Sequence, residues 1–296
     1  MHPAPSVIIF TVLSGAGFGY LAFLGLGLSL DTGFTAFWQF TLAFSMTVGG
    51  LISSTFHLGN PQRALLAFTQ WRTSWLSREA WAAVATLLVA GFYAIGVIFF
   101  ATRFVLLGWL VAAMCIATVF VTSMIYAQMA TVPRWNTVLT PIYFTAAALT
   151  AGAILSGQGA AAILLLLVLT LIQLACWLRG DRRFAERGHS IASATGLGTP
   201  GRIRLFEAPH SGSNYLLKEF GFQVARRHAM KLKVICIVAL GVIPVLLIFL
   251  GGGIVSLILA FAFHLVGICV SRWLFFAEAE HVVQLYYGNA PAPLGT

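Results

Sequence analysis

The sequence predicts an all-α, polytopic integral membrane protein: a single domain over residues 1–296 with about eight transmembrane helices in a bundle. Three observations predict this class. Hydrophobic residues make up 59% of the chain and charged residues only 8%, which leaves too little polar material to cover a water-soluble domain. The apolar residues form runs of spanning length. Most charged residues lie between or at the ends of these runs.

Eight apolar runs are long enough to cross a bilayer, which takes roughly 17–25 residues per helix. The first run has no basic segment before it and no evident cleavage site, so we interpret it as a retained helix and not as a signal peptide. The bounds of the fifth and eighth runs are the least sharply defined. The predicted helices cover residues 5–29, 34–55, 79–100, 105–126, 139–156, 159–178, 233–250 and 252–275.

The basic residues are distributed unevenly between the two predicted membrane faces. A net charge of +9 would suggest a nucleic-acid partner for a soluble protein, but here the basic residues flank membrane helices, and we expect no nucleic acid. Of all Lys and Arg residues, Arg103 alone falls on the face opposite the termini. The positive-inside rule therefore places both termini, and the loops after helices two, four and six, in the cytoplasm.

The cysteines and glycines give no sign of a bound metal or nucleotide. Cys115, Cys176, Cys236 and Cys269 fall inside predicted helices without C-x-x-C spacing, so we interpret them as buried thiols. The glycine-rich residues 15–19 lie within a span and follow no strand, which favours close helix packing over a dinucleotide loop. We expect no haem or metal in this chain.

Two ionisable residues flank the loop between helices two and three. His57 follows helix two and Glu79 opens helix three, so both lie on one membrane face. The loop also contains Arg63, and Arg78 closes it, among tryptophans suited to the interface. A quinone needs an apolar slot, hydrogen-bond partners for two carbonyls and groups that exchange protons. His57 and Glu79 are therefore candidates for quinone binding and proton transfer, with Arg63 or Arg78 controlling the charge state of the carboxylate.

Structural interpretations of these and other polar residues remain open. In one, Ser77 caps helix three, Glu79 complements the helix dipole, and His57 merely ends helix two. His264 lies in mid-span, where a b-type haem would need a second histidine at similar depth; a hydrogen-bonded core residue or a pore lining is favoured. Asp31, on the sparsely charged face, fits either solvation or a proton exit.

One extramembrane segment is substantial, at about residues 179–232. Its centre is rich in turn-forming residues, and its second half is basic and amphipathic. Such a segment fits either binding to anionic lipid or docking of a protein partner.

Three segments carry a resemblance to a known family: MHPAPSVIIFTVLSGAG at 1–17, FHLGNPQRA at 56–64 and SREA at 77–80. They resemble the membrane anchor subunits of dimethyl sulfoxide (DMSO) reductase and related molybdenum oxidoreductases. The resemblance implies a bacterial inner-membrane protein that holds no metal. It would exchange electrons between a quinone and an iron–sulfur subunit serving a molybdopterin catalytic subunit. It also implies that His57 and Glu79 match the family's quinol-site histidine and glutamate.

The charge distribution departs from the DMSO reductase pattern, in which the catalytic subunit and the anchor termini face the periplasm. It is closer to that expected for the related cytoplasm-facing sulfite dehydrogenases, in which electrons enter the quinone pool, whether ubiquinone or menaquinone. One alternative is a DMSO reductase anchor that oxidises menaquinol. An alternative of another class is a small secondary transporter, although no pair of interrupted spans occupies corresponding positions in two halves.

Overall fold

A computed structural model of the protein describes residues 3–29, 31–57, 60–197, 203–204, 206–207, 224–251 and 253–287. Across these residues the secondary structure is helical, with no strand. The α-helices are α1 Pro5–Gly25, α2 Gly33–Ser53, α3 Trp75–Phe99, α4 Val105–Ala127, α5 Leu139–Leu155, α6 Gly159–Glu186, α7 Ile191–Thr195, α8 Val224–Ile237, α9 Ile243–Gly251 and α10 Ile254–Ala277. A π-helical segment, Val238–Val242, joins α8 to α9.

Seven helical stretches in the described parts of the chain are long and apolar enough to cross a membrane, and α5 is a shorter apolar helix of 17 residues. At 1.5 Å per residue, α5 is about 25 Å long, near the lower limit for a span. The predicted class, a polytopic helical membrane protein with about eight helices, is confirmed.

The predicted helix bounds differ most around the long extramembrane segment. Helix α6 continues past residue 178 to Glu186, and α8 begins at Val224 and not at 233, so both ends of the predicted loop are helical. An apolar run marks the part of a helix inside the membrane, whereas Arg and Glu are good helix formers that extend it into water. The first helix is shorter than predicted. Its C-terminal end is at Gly25 and not at residue 29, ahead of the left-handed Gly27 with φ of 71°.

Helix α1 is the central helix of the bundle and is buried along most of its length. It packs against α2, α4, α5 and α10. A Cβ atom on Gly17 would overlap Thr47 of α2, and one on Gly19 would overlap the carbonyl of Ala148 on α5. The expectation of close helix packing at residues 15–19 is therefore confirmed for these two glycines. Such close approach matters in lipid, because no hydrophobic effect drives helices together there.

The two ends of the bundle differ in their polar interactions. At one end, Arg134 of the α4–α5 loop forms ion pairs with Asp181 of α6 and Glu278 after α10. At the other end, Arg103 donates a hydrogen bond to the backbone oxygen of Asp31 at 2.9 Å. We call the first end, formed by the α2–α3 and α4–α5 loops and the end of α10, the charged face.

Candidate functional site

The side chain of Arg78 joins the start of α3 to the end of the preceding loop. Its Nε donates to the carbonyl of Trp71 at 3.0 Å and its Nη2 to that of Arg72 at 2.7 Å, while the guanidinium lies 4.5 Å from the ring centroid of Trp75. Arg63 lies on the 3-10 helix Pro61–Phe68 and is exposed. Among the described residues, neither arginine forms an ion pair with Glu79, so their predicted control over its charge stays a prediction.

Glu79 points into the bundle and is only 5% exposed, although it lies near the start of α3. Its Oε1 accepts a hydrogen bond from Thr122 Oγ1 of α4 at 3.0 Å. Ser74, not Ser77, occupies the N-cap position, and Ser77 Oγ is buried without a hydrogen-bond partner. The capping interpretation is therefore wrong for Ser77. A carboxyl inside a membrane bundle is costly, and such groups usually have a function.

His57 ends the 3-10 helix Ser54–His57, directly after α2. Its backbone lies on the charged face, as does the start of α3, while its side chain lies outside the described part of the structure. Nearby, Ser53 Oγ donates to the carbonyl of Ser6 at 3.0 Å, which fixes the end of α2 against the start of α1. The proposed pairing of His57 with Glu79 in one site stays a prediction.

A row of hydroxyl groups leads from Glu79 deeper into the membrane, between α3 and α4. Thr86 of α3 and Thr118 of α4 share a hydrogen bond of 2.9 Å. This pair lies one to two turns further along the helices than the Glu79–Thr122 pair. The hydroxyl row consists of Thr86, Thr118 and Thr122, and the Glu79 carboxyl lies at its outer end. Sequence reasoning missed it, although Thr118 and Thr122 are four apart, and Glu79 and Thr86 seven apart, which places each pair on one helix face.

By its sequence position Arg272 is one of the basic residues that set topology, but it is buried inside the bundle, at 2% exposure. Its guanidinium carbon lies 3.4 Å from the ring centroid of Phe144 and 4.9 Å from that of Tyr143. Its Nε and Nη1 have no hydrogen-bond partner. A buried cation of this kind is not a topological signal, and sequence position alone did not distinguish it from a residue at a helix end.

An ion cluster lies on the charged face, where α6, α8 and the end of α10 meet. Arg134 pairs with Asp181 and Glu278, and Lys233 pairs with the same two carboxylates at 3.5 and 3.1 Å. Gly180 leaves room for the Arg134 side chain, because a Cβ at this position would lie 2.9 Å from Arg134 Nη1. Two cations and two anions balance within the cluster, which can therefore be partly buried and join three helices.

His264 and the cysteines are held within the helical core. His264 is fully buried, and its Nδ1 lies 3.1 Å from the carbonyl of Leu240 in the π-helical segment. Cys115 and Cys236 are buried, Cys176 and Cys269 are half-buried, and all four are free thiols. The described residues include no group of three or more His, Cys, Asp or Glu that could hold a metal ion.

Comparisons with known proteins match almost the whole chain. The family model "DMSO reductase anchor subunit (DmsC)" matches residues 1–288. A sulfite dehydrogenase subunit from Allochromatium vinosum is 32% identical, and the alignment covers 97% of this chain and 99% of that protein. Both matches extend over all the helices and the segment that carries His57 and Glu79. The chain therefore belongs to the DMSO reductase anchor subunit family.

Proposed function

We propose that this membrane anchor subunit is quinone-reactive, passing electrons between the membrane quinone pool and an iron–sulfur subunit of a molybdopterin oxidoreductase. The observation that carries the proposal is the buried Glu79 carboxyl on the charged face, which accepts a hydrogen bond from Thr122. Family membership supports it. The family is one of anchor subunits and gives no support to a transporter, so the anchor function is favoured.

Quinone redox chemistry requires groups that exchange protons, next to an apolar path along which the quinone can enter. Reduction of a quinone takes two electrons and two protons, one proton for each carbonyl oxygen. Glu79 Oε1 is occupied by Thr122, whereas Oε2 has no hydrogen bond to another described residue and can meet a quinone oxygen. His57 is the second proposed proton-exchanging group, and exposed Arg63 and half-buried Arg78 complete the proposed site on the same segment.

The charged face is the proposed docking surface for the iron–sulfur subunit. Electrons then pass between the catalytic subunit and the quinone through the iron–sulfur subunit, and no metal in this chain is needed. We place the charged face in the cytoplasm, because it carries the basic residues of the α2–α3 and α4–α5 loops while the opposite end carries Arg103. The proposed cofactor is ubiquinone or menaquinone.

The proposed direction is quinone reduction driven by sulfite. The similarity to a sulfite dehydrogenase subunit supports this direction. Oxidation of sulfite with water gives sulfate, two protons and two electrons, and these electrons with two protons convert a quinone to a quinol. A DMSO reductase anchor would run the other way and oxidise menaquinol.

Sulfite-dependent quinone reduction by the purified complex tests the proposal. We expect Glu79→Gln to lower quinone turnover at least tenfold, because an amide cannot exchange the proton, and His57→Ala to lower it as well. Iron and molybdenum should copurify in wild-type amounts with both variants.

The matched control is Glu186→Gln, which changes an exposed carboxylate at the end of α6 that pairs with Arg183 at 3.3 Å. It should keep wild-type turnover. Wild-type turnover in Glu79→Gln would refute the proton role of Glu79. Menaquinol oxidation by DMSO without any sulfite activity would instead support the reverse direction.

A further inference from the structure

Arg272 is a cation that is buried inside the bundle without a paired carboxylate. The rings of Phe144 and Tyr143 attract its positive charge, but aromatic faces are weaker acceptors for its N–H groups than an oxygen atom is. Its Nε and Nη1 have no hydrogen-bond partner, and no described carboxylate forms an ion pair with it. Charged residues within membrane bundles pair with other groups or face a water-filled cavity, so Arg272 points to a ligand nearby.

The titratable groups around Arg272 supply no negative charge. Those within electrostatic range of it in the described structure are all phenols or thiols: Tyr126, Tyr143, Cys176 and Cys269. Phenols and thiols are neutral near pH 7. The histidine of the same region, His264, is neutral or positive. The partner of Arg272 must therefore come from outside the described side chains.

A cavity of about 20 Å³ adjoins Arg272 between α1, α4, α5 and α10. Its wall includes Phe144, whose ring centroid lies 3.4 Å from the guanidinium carbon. A cavity needs roughly 10–15 Å³ to hold one water molecule. This one therefore has room for one or two molecules of that size and none for a quinone ring.

Three hydroxyl groups line the same cavity, and each already donates its hydrogen elsewhere. Thr11 and Ser14 donate to backbone carbonyls of α1, at 3.0 and 2.6 Å. Thr122 donates to Glu79 Oε1 or to a carbonyl of α4, both at 3.0 Å. A hydroxyl has only one hydrogen, so these three oxygens offer lone pairs and no donor to a ligand in the cavity.

The cavity wall therefore combines the donors of Arg272 with hydroxyl oxygens that only accept. Water fits both, because its oxygen accepts from the guanidinium while its two hydrogens are donated to hydroxyl oxygens. An anion only accepts and would be repelled by the lone pairs of the hydroxyls. A cation would be repelled by Arg272. The donor and acceptor pattern thus selects water over an ion.

We infer that the cavity is a binding site for one or two ordered water molecules, held by the guanidinium of Arg272 and by the hydroxyl oxygens of Thr11, Ser14 and Thr122. The water hydrates the Arg272 cation inside the bundle and connects α10 to α1 and α4. This site does not depend on the proposed function.

Electron cryo-microscopy of the purified complex, at a resolution that shows ordered water, tests the inference. We expect one or two density peaks in the cavity, within hydrogen-bond distance of an Arg272 nitrogen and of at least one of the three hydroxyl oxygens. Water around the partly exposed Asp181 of the ion cluster serves as the internal control for the quality of the map. In Arg272→Met the peaks should be lost, because the donors are replaced by a side chain that packs in an apolar interior.

The matched control is Arg103→Met, which removes an arginine at the opposite end of the bundle and should keep the peaks. An empty cavity in a wild-type map that shows water around Asp181 would overturn the inference, even if Arg272→Met fails to fold. Peaks that stay in Arg272→Met would overturn it as well. So would bromide in the cavity, detected by anomalous diffraction from crystals grown with bromide, because the ligand would then be an anion.

Discussion

At the scale of single residues, Thr122 contacts the Glu79 carboxyl of the proposed site and also lines the cavity beside Arg272. Its hydroxyl contacts the Glu79 carboxyl and the carbonyl of Thr118, both at 3.0 Å, and its side chain lines the cavity beside Arg272. Thr118 is a neighbour of the same type on the same helix face, but it bonds to Thr86 and not to Glu79. Substituting the two threonines one at a time therefore distinguishes the orientation of the Glu79 carboxyl from the joining of α3 to α4.

We expect Thr122→Val to lower quinone turnover about tenfold, because the carboxyl loses the hydrogen bond that orients it, a loss of roughly 1–1.5 kcal/mol. Thr118→Val should lose similar stability, since each removes one interhelical hydrogen bond worth about 0.6–2 kcal/mol in a membrane, while keeping near wild-type turnover. Steady-state turnover and thermal unfolding in detergent measure the two effects. Equal turnover in both variants would reduce Thr122 to a structural role.

At the scale of helices, the bundle depends on how closely α1 approaches its neighbours. Gly19 lies against the carbonyl of Ala148, and Gly152 of α5 lies against the backbone of Gly19, so the two helices meet backbone to backbone. Gly91 of α3, by contrast, has open space where a Cβ would be. Glycine is thus required at one position and tolerated at the other.

Gly19→Ala should destabilise the protein by about 1–3 kcal/mol, because the methyl group must push α1 away from α5. Gly91→Ala, the control, should be neutral or slightly stabilising, by up to about 1 kcal/mol, since alanine restricts the unfolded chain and has the higher helix propensity. Thermal unfolding of the two purified variants measures the difference. Equal stability would mean that α1 and α5 are not in backbone contact.

At the scale of the whole molecule, the proposed site and most of the charged residues lie at one end. The ion cluster, the start of α3 with Glu79 and the end of α2 with His57 all lie on the charged face. On the opposite end, the Asp31 carboxylate accepts hydrogen bonds from Gln39 Nε2 at 2.7 Å and Ser29 Oγ at 3.0 Å. These hydrogen bonds fit a solvated loop and leave its proposed role as a proton exit a prediction.

A reporter fused to the C-terminus tests the proposed orientation of the molecule. With the charged face in the cytoplasm, a green fluorescent protein fusion should be fluorescent and an alkaline phosphatase fusion inactive, because each reporter works on only one side of the bacterial membrane. The reverse pattern would place the charged face in the periplasm and support the DMSO reductase arrangement.

The sequence predicted part of the candidate site, and particular residues show why the rest was missed. Glu79 was identified because a carboxylate at the edge of a span is rare. Its partner Thr122 was missed because a threonine in an apolar helix gives no signal until the facing helix is known. The burial of Arg272 was not predicted, because a charge near a helix end looks the same in the sequence whether the side chain turns to water or to the interior.

By itself the sequence determined that this protein is a helical membrane protein, where its helices lie, and which family it resembles. Each of these follows from composition, run length or local motif, and none needs to know which helices are neighbours. The tertiary structure alone decided that Glu79 faces Thr122, that Arg272 adjoins a polar cavity, and that Arg134 joins α6 to the end of α10. The physical reason is that in an apolar bundle the placement of a polar group depends on the rotation of its helix. Packing against distant helices sets that rotation.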